Sequence, residues 1–525
     1  MKDPNDNWSI NRRDLTPEAT TTSLSTEASP RVSLGVSKPD KPLTRVLGRT
    51  GFEVTTLGLG GQASVQWTPP GEDPERIILK AVDLGINYFD TSNLYGPSQL
   101  NYGKAFRTLH MIPGASEYDE AKRRSIFLAS KTGLRYAKGQ PGTRGNVASV
   151  TNGPPGSMTL DDLKRTLSQI FGDGQGHYPS GAYIDLVQIH NLTHLDEVDA
   201  IFEGLETPDP KAEWIGALAA LRDYRDGTNL TGLNTKEEKL IRHIGITGHF
   251  SSPVLMECLQ RDTFNVIDTL LVAMNANDRR YFNHQYNVIP VAAAKNVGII
   301  AMKVFADGAM YGKGNHFSRQ PADVVRTVGS PTIPSAPLVR YSLSTPGIAT
   351  AIIGIGHIDS DRKLDQLEQN LAAARFSGQI NDSERREIEQ SAVRAKDGMT
   401  NYFQREAEVL SAPRHLAISQ KAQDDQRVAL LSWQTAYAGD QPLSHYEIRR
   451  DDFRSAGFAV GKDLHDHDSE TTIIGRVEHR PQTTMSPFTF QDRLKDQIAH
   501  SYRVITVDAS GRMADSEELL LPATV

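Results

Sequence analysis

The sequence predicts an α/β fold, a closed (β/α)8 barrel of the TIM type followed by an all-β sandwich, and three observations carry that prediction. Eight short, near-continuous apolar blocks lie between residues 54 and 354. Helix-period segments separate them. After about residue 411 the helical segments give way to short alternating strands divided by turns. Strands that are apolar along their whole length are buried on both faces, as in a parallel sheet covered by helices, and eight such strands close into a barrel. The 525-residue length fits two folded units and a tail.

Taken in order, residues 1–42 are rich in Ser, Thr, Pro and charge, with no apolar period, and read as a disordered polar tail. Arg12-Arg13 stands where a twin-arginine export signal would begin, but the next residues, Thr-Pro-Glu-Ala-Thr-Thr-Thr-Ser, are polar where such a signal needs an apolar run. A cytoplasmic protein is the first expectation and twin-arginine export the alternative. Thr44 to Thr56 reads as a hairpin around the Gly-bounded turn Leu47-Gly48-Arg49-Thr50-Gly51. The eight blocks are Val54–Gly60, Ile86–Asp90, Ser125–Lys131, Tyr183–His190, Arg242–Thr247, Asp268–Met274, Gly298–Lys303 and Ile348–Gly354.

Between blocks, Leu160, Leu163, Leu167, Ile170 and Phe171 share one helical face, and Thr159 with Asp162 reads as a capping box. Ala137 to Gly156, rich in Gly, Pro, Asn and Ser, follows the third block. It reads either as a lid over the active face or as a surface insertion. An open doubly wound sheet is the competing fold, and it is disfavoured because Gly58-Leu59-Gly60-Gly61-Gln62-Ala63 matches its glycine fingerprint only in part. The barrel domain spans 43–400 and ends after the charged helix Glu384–Ala395. The sandwich spans 411–525, with strands at Val428–Trp433, His445–Arg449, Thr471–Val477, Phe488–Gln491 and Tyr502–Val507.

Composition narrows the partners. A net charge of −7 without a basic run argues against nucleic acid and anionic membrane, and no stretch is apolar enough to span a bilayer. Cys258 is the only cysteine, which excludes an intrachain disulfide and a cysteine-built metal site. A small-molecule substrate is expected.

Catalytic groups of a parallel barrel sit where the strands end. Asp90 closes Ile86-Asn87-Tyr88-Phe89-Asp90, Lys131 closes Ile126-Phe127-Leu128-Ala129-Ser130-Lys131, and His190 closes Tyr183-Ile184-Asp185-Leu186-Val187-Gln188-Ile189-His190. Tyr95 follows Asp90 by five residues. Each alone also suits a structural part, a bonded strand-end imidazole or a helix N-cap, but the four together point to one mouth.

Phe89-Asp90-Thr91-Ser92-Asn93-Leu94-Tyr95-Gly96, Ala129-Ser130-Lys131-Thr132 and the His190 segment resemble the aldo-keto reductase family, over about residues 44–396 and in family order. The resemblance implies reduction of an aldehyde or ketone, or of a sugar-like carbonyl, by NADP(H), with NAD(H) as the alternative. In that chemistry Tyr95 is the proton donor, Lys131 lowers its pKa, Asp90 holds Lys131 in place, and a neutral His190 binds the carbonyl oxygen. It also assigns the cofactor to Thr247, Asn275, Lys303, Gly354, Arg362, Gln369 and Asn370. This sequence departs from the family where Gly248 replaces the usual Asn and Leu271 the usual Gln. No metal is required, and His243, His249 and His357 are read as hydrogen-bonded polar residues near the same mouth. Trp67 reads either as a wall of the substrate pocket or as core packing.

The C-terminal region resembles a fibronectin type III domain through Pro413, Trp433, Tyr446 and the Tyr502–Gly511 strand. It is expected to be either a recognition module for a protein or glycan partner or a spacer that docks against the barrel. A redox-sensing regulatory subunit, with cofactor on the barrel and a partner protein on the sandwich, is the alternative function. A non-catalytic scaffold is a further class, which the complete tetrad disfavours.

Overall fold

The computed structural model describes residues 42–523, apart from 69, 141–146, 148, 355–364, 376–378, 405, 408, 424–425 and 453–471. The expected polar tail, Arg362 and His357 lie outside the described residues. The first folded element is a hairpin, β1 (Thr44–Val46) against β2 (Glu53–Thr55). Gly51 closes its turn at φ 69°, a left-handed conformation that suits glycine.

The barrel staves are β3 (Leu57–Gly60), β4 (Tyr88–Asp90), β5 (Phe127–Thr132), β7 (Ile184–Ile189), β9 (Ile241–Gly248), β10 (Thr269–Ala273), β11 (Gly298–Met302) and β12 (Ile348–Ile353). Each pairs in parallel with its sequence neighbours, and β12 closes on β3. A small antiparallel ribbon, β6 (Tyr136–Lys138) with β8 (Ile215–Gly216), lies outside this ring. The crossovers carry α1 (Pro74–Asp83), α2 (Ser98–Thr108), α3 (Glu120–Arg124), α4 (Thr159–Phe171), α5 (Leu195–Phe202), α6 (Ala217–Asp226), α7 (Ser252–Arg261), α8 (Asp278–Tyr281), α9 (Val288–Ala294), α10 (Ser335–Leu343), α11 (Gln366–Ala374) and α12 (Asp382–Arg394).

Successive side chains of each stave divide between two cores, which is why the staves read as continuous apolar runs. Tyr88, Phe127, Ala129, Leu186, Leu271 and Ile300 fill the barrel. Phe89, Leu128, Val187 and Ile189 pack against the helices. Hairpin residues Leu47, Phe52 and Val54 join the inner core, with Phe52 and Phe127 at 5.1 Å between ring centroids. They plug the end where the staves begin.

Three sequence expectations are corrected. The first apolar block is two elements: Val54 belongs to the hairpin, and the stave starts at Leu57, both halves being buried. The cap of α4 is Met158, whose backbone N–H donates to the Asp161 carboxylate at 2.8 Å. Asp162 is freed from capping and instead accepts from Asn93 and from Thr132 (2.9 Å), Thr151 (2.6 Å) and Arg165 (2.8 Å). His243 lies toward the plugged end, stacked 5.8 Å from Phe127 and 3.5 Å from Asp268, rather than at the mouth. The described part of the loop after β5 is tied down by the Gly133–Val150 bridge and by Thr151.

Beyond α12 the chain forms two antiparallel sheets. One holds β13 (Arg414–Gln423), β14 (Gln426–Gln434) and β17 (Phe488–Leu494). The other holds β15 (Leu443–Asp452), β16 (Thr472–Glu478), β18 (His500–Asp508), β19 (Met513–Asp515) and β20 (Leu519–Leu521). Trp433, Phe488, Tyr446, Ile448 and Val504 share one core between them. The Tyr446 hydroxyl accepts from the Ala436 backbone N–H at 3.1 Å, which fixes the corner after β14. β13 escaped the sequence reading because its pattern is mostly exposed and polar. The β region contacts the barrel through Asn287, which accepts from the Ala438 N–H at 2.9 Å, and through Gln260, which donates to the Gln482 carbonyl at 2.9 Å. Among the described residues no helix is long and apolar enough to cross a membrane.

Candidate active site

The staves end together, so the residues that close them converge. Asp90 is the last residue of β4, Lys131 the penultimate residue of β5, and His190 follows β7 directly. Gly61 lets β3 approach this end of β4, since a Cβ there would sit 2.1 Å from the Asp90 carbonyl oxygen. Tyr95 lies on the connection between β4 and α2, whose Asn93 is held by Asp162.

Lys131 Nζ donates to Asp90 Oδ1 and, at 2.9 Å, to the Thr91 carbonyl. The same ammonium lies 4.8 Å from the centre of the Tyr95 ring. Tyr95 and His190 meet edge to face, with centroids 5.8 Å apart. His190 Nδ1 is 3.4 Å from Ser92 Oγ, which leaves Nε2 for another partner.

Burial sets the proton affinities. It pushes the Tyr95 phenol well above its ordinary range, and the Asp90 and Asp307 carboxylates add to that push. It holds His190 well below its ordinary value, reinforced by the Lys131 charge, so the imidazole is neutral. Burial also raises Asp90 and lowers Lys131, each opposed by the other's charge. The expected net lowering of the Tyr95 pKa is corrected: desolvation, with the Asp90 and Asp307 carboxylates, prevails and the net shift is upward.

A cavity of about 120 Å3 opens here, bordered by Asp90, Tyr95, Trp67, Leu271, Lys303 and Gly354. Of the residues assigned to the cofactor, Lys303 and Gly354 line it. Thr247 is buried, its hydroxyl accepting from the Asn191 N–H at 2.7 Å. Asn275 is also buried, donating to the Lys303 carbonyl and accepting from the Asn277 N–H, both at 2.9 Å. On α11, Asn370 is buried and Gln369 exposed.

Sequence reading missed the companions of Lys303. Its ammonium donates to Asp307 at 2.7 Å and Gln62 at 3.0 Å, while Lys313 reaches the other Asp307 oxygen at 2.6 Å. The two ammonium groups hold the Asp307 carboxyl well below its usual range. Tyr402, from the connection after α12, was missed as well. It sits 3.1 Å from His249 Nδ1 and packs edge to face on Phe317. No strand period marks these residues, because they lie on connections.

The aldo/keto reductase family model matches residues 56–392. An uncharacterized oxidoreductase of Bacillus subtilis, YqkF, is 23% identical over 352 residues, covering 63% of this chain and 90% of that protein. L-galactose dehydrogenase of Arabidopsis thaliana is 23% identical over 344 residues, covering 63% and 87%. A crystal structure of an aldo-keto reductase from Klebsiella pneumoniae in complex with NADPH is 15% identical, covering 68% of this chain and 97% of that one at a TM-score of 0.39. The family match spans most of the chain and takes in all eight staves and the four converging side chains: this chain belongs to the aldo/keto reductase family of oxidoreductases.

Proposed function

We propose that the protein reduces an aldehyde or ketone with NADP(H), and oxidises the matching alcohol in reverse, with Tyr95 as proton donor. The convergence of Tyr95, Lys131, Asp90 and His190 at one mouth carries this reading. When bound, the nicotinamide supplies hydride to the carbonyl carbon. The oxygen then needs a proton, and a phenol that holds its proton at neutral pH releases it only as strongly basic alkoxide character develops. The Lys131 ammonium steadies the phenolate left behind, and Asp90 keeps Lys131 charged and in place. His190, neutral and tethered at Nδ1 by Ser92, has Nε2 available to donate to the carbonyl oxygen.

The residues suit a dinucleotide phosphate. Lys303 and Lys313 against one Asp307 leave a net positive charge beside the cavity, and Gly308 and Gly354 present bare backbone there. NADP(H) is favoured over NAD(H) by the family resemblance, and thermal-shift titration with each cofactor, followed by a carbonyl panel, tests the reading. Stabilisation by neither cofactor would overturn it.

We further read residues 43–400 as the reductase domain and 411–525 as a fibronectin type III-like sandwich. The division of strands between two sheets and the buried Trp433 support that second assignment.

A further inference from the structure

A second cavity, of about 420 Å3, lies between the barrel and the β region. It falls within the range of roughly 300–1,000 Å3 typical of small-molecule sites. Thr193 and His194, just beyond His190, border it on one side, and Tyr437 and Ala438 border it on the other.

Three separate connections build an aromatic wall in it. Phe403, after α12, stacks on Phe250 with centroids 4.5 Å apart and 29° between planes, and on Phe282 at 6.1 Å and 21°. Beside the wall, Asn283 is 2% exposed and held at φ 50°. Its Nδ2 donates to the Ala438 carbonyl at 2.6 Å and to that of Gly439, while its Oδ1 is buried without a partner. A buried acceptor left unpaired costs stability until a donor reaches it.

The charges are equally selective. Among the described lining residues there is no Lys or Arg to meet an anion, and the one carboxylate, Glu406, is on the exposed rim. What remains is an uncharged ligand with a flat C–H face for the rings and O–H donors for Asn283. A pyranose ring has both.

We propose that this cavity binds a neutral saccharide, with a sugar face against the Phe250–Phe403–Phe282 wall and a hydroxyl donating to Asn283 Oδ1. The site is independent of hydride transfer.

Saturation-transfer NMR on the full-length chain, without nicotinamide cofactor, tests it with maltotriose, cellotriose and choline as probes. At least one trisaccharide should receive saturation from aromatic protons, and choline should not. Phe403→Leu should weaken sugar binding by roughly five- to ten-fold. Ala407→Trp, which fills the cavity from a half-exposed rim position without removing core packing, should abolish binding with the melting temperature retained. Silence from both trisaccharides, binding undiminished in Ala407→Trp, or choline binding in their place would overturn the proposal. Because turnover is not read, an inactive reductase that still binds sugar contradicts only the catalytic reading. An active one with a silent cavity contradicts only this site.

Discussion

Where the staves begin, Leu47, Phe52 and Val54 close the barrel over Tyr88, Phe127 and Leu186, apart from the phenol an apolar plug. Where they finish, Asp90 and Lys131 are buried as deeply, at 1% and 2% exposure, yet carry charge. The same loss of water stabilises one end and perturbs proton affinity at the other. Buried apolar groups at the plug need only fit. Buried ionisable groups at the mouth must be mutually satisfied, and the strain of doing so tunes Tyr95 and His190.

Substitutions at the two ends should separate these roles. The largest effect belongs to Lys131→Met, which strands Asp90 in the mouth and should cost about 3–5 kcal/mol in urea unfolding as well as turnover. Adding Asp90→Asn should restore much of that stability without restoring activity. At the plug, Leu47→Ala should cost about 2–4 kcal/mol while leaving kcat/KM unchanged. A loss of activity there would erase the contrast between the ends.

Acid should act on the mouth. His249 is buried and lowered to about 3, so the fold takes up its neutral form. Its contribution is present above the unfolded pKa of about 6.5 and is lost as pH falls below that value, by about 2 kcal/mol at pH 5. His190, shifted the same way, adds to the loss. Urea midpoints at pH 7.5 and 5 should show a decline that is shallower in His249→Asn.

The staves were legible because burial on both faces leaves continuous apolar blocks, and the four side chains proposed to act because three of them lie at stave ends. Less visible was anything fixed by the connections. Asp162 looked like a cap, but its partners Asn93, Thr132 and Thr151 are distant in sequence. Asp307 draws its meaning from Lys303 and Lys313, and Tyr402 from His249, pairings that no periodicity announces. The direction of the Tyr95 shift was hidden for a similar reason. It depends on burial and on the Asp90 and Asp307 carboxylates, and Asp307 is distant from Tyr95 in sequence.

The account rests on proton donation by Tyr95, and single-turnover hydride transfer from NADPH in Tyr95→Phe tests it most directly. The rate should fall by about 10²–10⁴-fold with NADPH affinity unchanged, since the lost hydroxyl serves the reacting oxygen. Transfer within about three-fold of the wild-type rate would contradict it, because the proton would then be coming from elsewhere.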